Sequence, residues 1–117
     1  MKVKRIVANI ETADPAAVAG FYRDVLGLDV LMDLDWIVTY GKAGAAAPQV
    51  SFAIEGGSGT PVPALSIEVD DVDAAHAAVL AGGYRVEYGP ADEPWGVRRF
   101  FVRDPAGTLV NILMHAP

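Results

Sequence analysis

The chain has 117 residues, enough for one domain with a modest core, and no cysteine, which excludes disulfides, thiolate chemistry and cysteine-ligated zinc. Hydrophobic residues make up 52% of it, in runs too short to span a bilayer, and the net charge of −6 argues against a nucleic-acid partner while suiting a cationic ligand or simple solubility. Met1-Lys2 leads directly into a strand pattern with no secretory segment, so the expected location is cytoplasmic, with no membrane partner.

In chain order, Val3–Glu11 reads as a strand. Asp14 then offers an N-cap and Pro15 a first helical position for a helix over residues 15–26, with Val18, Phe21, Tyr22 and Val25 as its apolar stripe and Gly27 as its stop. Strands follow over 28–32, 36–40 and 49–55, with a small-residue loop over 41–48. Residues 56–61, GGSGTP, read as a short flexible linker.

The pattern then restarts. Residues 64–69 read as a strand, Asp71 caps an Ala-rich helix over Val72–Ala81, and Gly82-Gly83 closes it. Strands are expected over 84–88, Val97–Arg103 and 108–114. Glu93-Pro94-Trp95-Gly96 forms a bend before the second of these, and Asp104-Pro105-Ala106-Gly107 is a tight turn before the third. Asp14 and Asp71 lie about half a chain apart. We therefore read an α+β fold built by internal duplication of a βαβββ unit, with module 1 over about 1–56 and module 2 over about 62–117 of a single domain. Two sheets, each with a helix on one face, would curve around a shared cleft.

Alternation along the strands assigns their faces. Ile6, Ala8 and Ile10, like Leu65, Ile67 and Val69, should pack on the helices, as should Val110 and Ile112. That leaves Asn9, Glu11, Ser51, Ser66, Glu68 and Asn111 on the cleft face, among apolar walls that suit a small molecule. Trp36, Tyr40, Trp95 and Phe100 are candidate walls, each able to serve as core instead. Arg98 and Arg99 point to opposite faces, so one of them faces the cleft. Glu11 and Glu68 would either bind a cationic group or pair with Arg5, Arg98 or Arg99. His76 reads as a plain helix residue and His115 as a solvated residue near the terminus.

Three features in this order, namely Phe21-Tyr22-Arg23-Asp24-Val25-Leu26-Gly27, the duplicated layout and Asp104-Pro105-Ala106-Gly107 before the last strand, resemble the vicinal oxygen chelate superfamily. That group includes glyoxalase I, extradiol dioxygenases and the bleomycin- and fosfomycin-resistance proteins. The Pro-Trp-Gly bend is most similar to the bleomycin-resistance branch. The resemblance implies that the metal ligands of the family's enzymes would fall at Val7, Ser51, Ala64 and Asn111. None of these is a good ligand for a divalent ion, so no metal and no other cofactor is expected.

The expected function is that of a metal-free glyoxalase/bleomycin-resistance-like protein that binds, and sequesters, an aromatic or cationic natural product. The alternative is a glyoxalase-like lyase, isomerase or dioxygenase with an atypical site, and a third option is an oligomeric protein that has lost its ligand. The resemblance also implies a homodimer, the commonest closed oligomer.

Overall fold

The computed structural model describes residues 1–44 and 47–116; Ala45 and Ala46, within the loop expected over 41–48, and Pro117 lie outside the described residues. The strands are β1 (Val3–Glu11), β2 (Asp29–Asp33), β3 (Ile37–Gly41), β4 (Gln49–Ala53), β5 (Leu65–Val69), β6 (Val86–Asp92), β7 (Val97–Arg103) and β8 (Leu109–His115), and the α-helix is α1 (Val72–Ala81). The fold is α+β. No helix among the described residues is long and apolar enough to cross a membrane. The chain divides into two compact units, Val7–Val62 and Met1–Ile6 with Pro63–Pro117, so β1 starts in one and ends in the other.

In the unit Val7–Val62 the strand order is β2-β3-β4-β1, with β1 parallel to β4 and the other neighbours antiparallel. In the second unit β5 runs parallel to β8, and β8, β7 and β6 follow in antiparallel order. The parallel pairing of β1 with β4 is thus repeated by β5 with β8, as expected of a βαβββ unit used twice.

The helices do not repeat. Where a helix is expected over 15–26, the chain makes successive turns and then a six-residue π-helical stretch, Gly20–Val25. Asp14 still caps the start, its Oδ1 accepting from the Ala16 amide at 3.1 Å. Gly20 and the β-branched and aromatic residues around it are poor helix formers, so tertiary packing decides the backbone path. The Tyr22 ring centre lies 4.8 Å from that of Phe52 and 6.0 Å from that of Tyr40. Those two residues and Val38 form this unit's core, with Val18, Ala19 and Leu28 packed against it. Only half of the expected stripe is therefore used: Val18 and Tyr22 pack, whereas Phe21 and Val25 are exposed. Ile6 and Ile10, expected beneath a helix, are 59% and 46% exposed, and it is Val7 that is buried.

Two loops differ from expectation for identifiable reasons. The stretch read as a flexible linker is closed on itself: the Gly56 amide donates to the Thr60 carbonyl at 2.8 Å, and the Thr60 hydroxyl to the Gly57 carbonyl at 2.7 Å. A Cβ on Gly56 would strike Pro61 and Thr60, so glycine is required there by close approach. Strand β6 starts at Val86 and runs past the expected 84–88 to Asp92, because an irregularity between Tyr88 and Ala91 in its pairing with β7 absorbs Gly89 and Pro90.

The second unit follows the sequence closely. Asp71 Oδ1 accepts from the Ala74 amide at 3.0 Å and starts α1. The helix seats Val72 and Ala75 on Val69, Phe100, Val102 and Val110, with Ile67 and Ile112 beside them. In the Asp104 turn, one carboxylate oxygen accepts from the amides of both Ala106 and Thr108 at 2.9 Å, and Gly107 takes the positive φ that closes it.

Candidate functional site

Because α1 covers Phe100, Val102 and Val110, the alternate residues of β7 and β8 occupy the other face of the second unit's sheet. Register builds a small grid there. Asn111 stands between Ser66 of β5 and Phe101 of β7, and Tyr88 of β6 lies beyond Phe101. One step along, Leu113 stands between Glu68 and Arg99, with Ala91 beyond. Leu109, Leu113, Phe101 and Arg99 are all buried.

The strongest electrostatic feature of this face is a buried ion pair. Arg99 Nη2 lies 2.6 Å from Glu93 Oε2, and the two side chains are only 3% and 5% exposed. Arg99 Nε donates to the same oxygen at 2.7 Å, and the Tyr88 hydroxyl donates to the Glu93 carboxylate at 3.2 Å. The guanidinium carbon is 4.9 Å from the Trp95 ring centre, 5.4 Å from that of Tyr88 and 4.8 Å from that of Phe101. The cation is thus held by one carboxylate and three aromatic faces. The Glu93-Pro94-Trp95-Gly96 bend delivers two of these partners. The Glu93 amide donates to the Val97 carbonyl at 2.7 Å and the Gly96 amide to the Glu93 carbonyl at 3.1 Å, with Gly96 at φ 89°.

Beside this pair, Asn111 Nδ2 donates to Ser66 Oγ at 3.1 Å, and Asn111 Oδ1 is buried with no hydrogen-bond partner among the described residues. Glu68 accepts from Arg5 Nε at 2.6 Å. His115 Nε2 lies 3.7 Å from Glu68 and 3.4 Å from Arg5 Nη2. In the unit Val7–Val62, Asn9 pairs in register with Ser51, whose buried hydroxyl lies 2.8 Å from that of Thr39. Each parallel pair of strands therefore carries one amide side by side with one hydroxyl, Asn9 with Ser51 and Ser66 with Asn111.

Ser66, Glu68, Trp95 and Asn111 thus lie on or against one face of one unit. Asn9 and Ser51 pair in the other, where Glu11 is exposed at the end of β1 and Trp36 is half-buried just before β3. Three candidates fall elsewhere. Phe100 is fully buried beneath α1, with the His76 ring edge-on at 5.2 Å, so the aromatic wall of the grid is Phe101. Tyr40 is core, and its hydroxyl donates to the Pro15 carbonyl at 3.1 Å. Arg98 points to the α1 side, where it binds Asp73 at 2.9 Å and Asp92 at 3.2 Å. Its hydrogen bond holds the Asp73 carboxyl below the usual value, and Asp73 and Asp92 in turn raise the guanidinium's. Arg99 is the arginine on the Asn111 face. Sequence reasoning missed Glu93, Tyr88, Phe101 and Thr39. Counting outward from Asn111 by register could have found Phe101, but nothing local marks Glu93 as a buried counter-ion.

Comparison with known families agrees with this geometry. The family model described as the Glyoxalase/Bleomycin resistance protein/Dioxygenase superfamily matches residues 4–112. The chain belongs to that superfamily.

Solved structures that resemble the chain include an NAD-dependent benzaldehyde dehydrogenase from Legionella pneumophila, 15% identical over 95% of this chain and 99% of that one, with a TM-score of 0.74. A methylmalonyl-CoA epimerase from Mycobacterium tuberculosis is 22% identical over 95% of this chain and 87% of that one, with a TM-score of 0.66. The 2,3-dioxygenase LapB from Pseudomonas sp. KL28 is 16% identical over 94% of this chain but 41% of that one, with a TM-score of 0.65. At these identities the likeness is one of fold. Among curated proteins no sequence matches the chain.

The superfamily's metal enzymes raise the question of whether this chain's residues fit a divalent ion. Val7 and Ala64 carry no donor atom, Ser51 is engaged with Thr39, and Asn111 offers one neutral oxygen. Their register partners Asn9 and Ser66 add another amide and another hydroxyl. Hard cations need several charged oxygens or imidazoles. Among the described residues no group of three or more His, Cys, Asp or Glu is placed to hold a metal. The residues do not fit the ion.

Proposed function

We propose that this superfamily member is a metal-independent binding protein that sequesters a flat small molecule on the Asn111 face, in the manner suggested by its Pro-Trp-Gly bend. The reading is carried by the donor set: neutral amides and hydroxyls stand where a metal enzyme needs charged ligands, while aromatic and apolar residues surround them. Such a lining, mostly apolar with a few placed polar groups, suits a small organic ligand. A thermal-shift panel of flat aromatic, cationic and anionic compounds tests it. Aromatic donors should raise the melting temperature of the wild type, since a ligand that binds only the folded state stabilises it by mass action. Trp95→Ala should weaken that effect without unfolding the chain, because Trp95 is only half-buried. Elemental analysis should find less than about 0.1 equivalent of Zn, Ni, Mn or Fe per chain, because the residues present offer too few charged or imidazole donors. A stoichiometric metal, or a panel without a shift, overturns the reading.

The reading includes a two-fold dimer. Strand β2 ends its unit's strand order, and its Val30, Leu31 and Met32 are all exposed. An apolar outer strand of this kind invites cover by a second copy. Sedimentation at micromolar concentration should return twice the 12.3 kDa chain mass, and a monomer would remove this part of the proposal.

A further inference from the structure

We infer that the Asn111 carboxamide oxygen is the acceptor for an N–H or O–H donor on the ligand, so that this face selects donor-bearing flat molecules over anions that can only accept. The inference rests on the binding reading above and specifies the chemistry of that site.

Asn111 is 7% exposed. Its Nδ2 is used, donating to Ser66 Oγ at 3.1 Å, while Oδ1 is shielded from water and has no donor among the described residues. A buried acceptor without a donor costs a fold more than the single Nδ2–Ser66 hydrogen bond that an apolar residue in its place would give up. The neighbours would accept one. Leu109 and Leu113 precede and follow it on the same face of β8, and Phe101 stands opposite. As a fold residue, then, Asn111 is inferior to leucine. As a ligand contact it is well placed, because an acceptor already out of water discriminates sharply between partners that supply a donor and partners that do not.

The charges on the face point the same way. Arg99, opposite Leu113 in register, is the buried cation that an anion would seek, and it is already matched by Glu93 at 2.6 Å. A carboxylate or phosphate arriving here would meet a neutralised guanidinium and the lone pairs of Asn111. An amide, phenol or protonated amine would instead give Asn111 the hydrogen bond it lacks, and a flat ring would lie among Phe101, Tyr88 and Trp95.

The test uses three benzoyl probes: benzamide, which carries an N–H donor, N,N-dimethylbenzamide, which carries none, and benzoate, which only accepts. Each is titrated into ¹⁵N-labelled full-length protein. Benzamide should shift the Asn111 side-chain amide signal together with backbone signals of β7 and β8, and bind about tenfold or more tightly than the other two, the factor a single net hydrogen bond supplies. Asn111→Leu should melt no lower than the wild type and should bind benzamide and N,N-dimethylbenzamide alike. Asn111→Asp keeps an acceptor at the same place, so it should retain the preference for benzamide even if the leucine variant fails to fold. Equal binding of the probes to the wild type, or a preference that survives Asn111→Leu, overturns the acceptor role and leaves the binding reading standing. If none of the probes perturbs β7 or β8, both fall together.

Discussion

Glu93→Gln should destabilise the protein by about 3 kcal/mol, and Arg99→Met by about 4–5 kcal/mol, the range for breaking a buried ion pair and stranding the other charge. The two side chains are 5% and 3% exposed, so water cannot take over the role of the missing partner. The asymmetry follows from the rings. In Glu93→Gln, the guanidinium keeps the faces of Trp95, Tyr88 and Phe101 and an amide oxygen to donate to, and cation–π contacts of about 0.5–2 kcal/mol soften the loss. In Arg99→Met, the buried carboxylate loses the guanidinium that faces it and keeps the weaker, neutral Tyr88 hydroxyl as a donor. The double variant Glu93→Leu/Arg99→Met removes both charges and should return to within about 1 kcal/mol of the wild type, since apolar replacement of a whole buried pair is often neutral. Urea unfolding of the wild type, Glu93→Leu, Arg99→Met and the double variant closes a double-mutant cycle, with Glu93→Gln measured beside it. If both single variants lose less than about 1 kcal/mol, the pair behaves as a surface salt bridge and its burial is wrong.

The second unit was legible because its local signals agree with its packing. Asp71, the Ala-rich stretch and the glycines after it describe one helix, and Asp104-Pro105-Ala106-Gly107 describes one turn; both form as read. Simple alternation placed Asn111 and Leu113 opposite the helix-covered Val110 and Ile112. The first unit was misread where a cap outweighed a poor interior. Asp14-Pro15 does start a turn, but Gly20 and the β-branched and aromatic residues near it leave the backbone to follow Tyr22 onto Phe52. GGSGT looks like a linker by composition, and only the long view, with Gly56 backed against Pro61, shows a closed loop. In the candidate site, alternation narrowed the arginines to a choice between two but could not decide it. The decision needed Asp73 on α1 to claim Arg98, a contact 25 residues distant, and Glu93 to fold back onto Arg99.

Phe100→Ala should cost about 3–5 kcal/mol, the upper range for emptying a core site, and lower the melting temperature by more than about 10 °C. Phe100 is 0% exposed. It lies at the centre of the cluster of Val69, Val72, Ala75, Val102 and Val110, and the His76 ring meets it edge-on at 5.2 Å. These contacts come from α1, β5, β7 and β8, so the cavity left by alanine cannot close without moving the helix. Phe100→Leu fills most of that volume and should cost about 1–1.5 kcal/mol, within the range for volume-conserving apolar swaps. Amide exchange locates the damage: the alanine variant should lose protection across α1 before it does so in β7 and β8, because the helix is held chiefly by this cluster. Neither variant removes a residue from the Asn111 face. If Phe100→Ala costs less than about 1 kcal/mol, α1 does not rest on Phe100. The strand would then be turned the other way, and Arg99, Phe101 and Asn111 would no longer share the face on which the site is built.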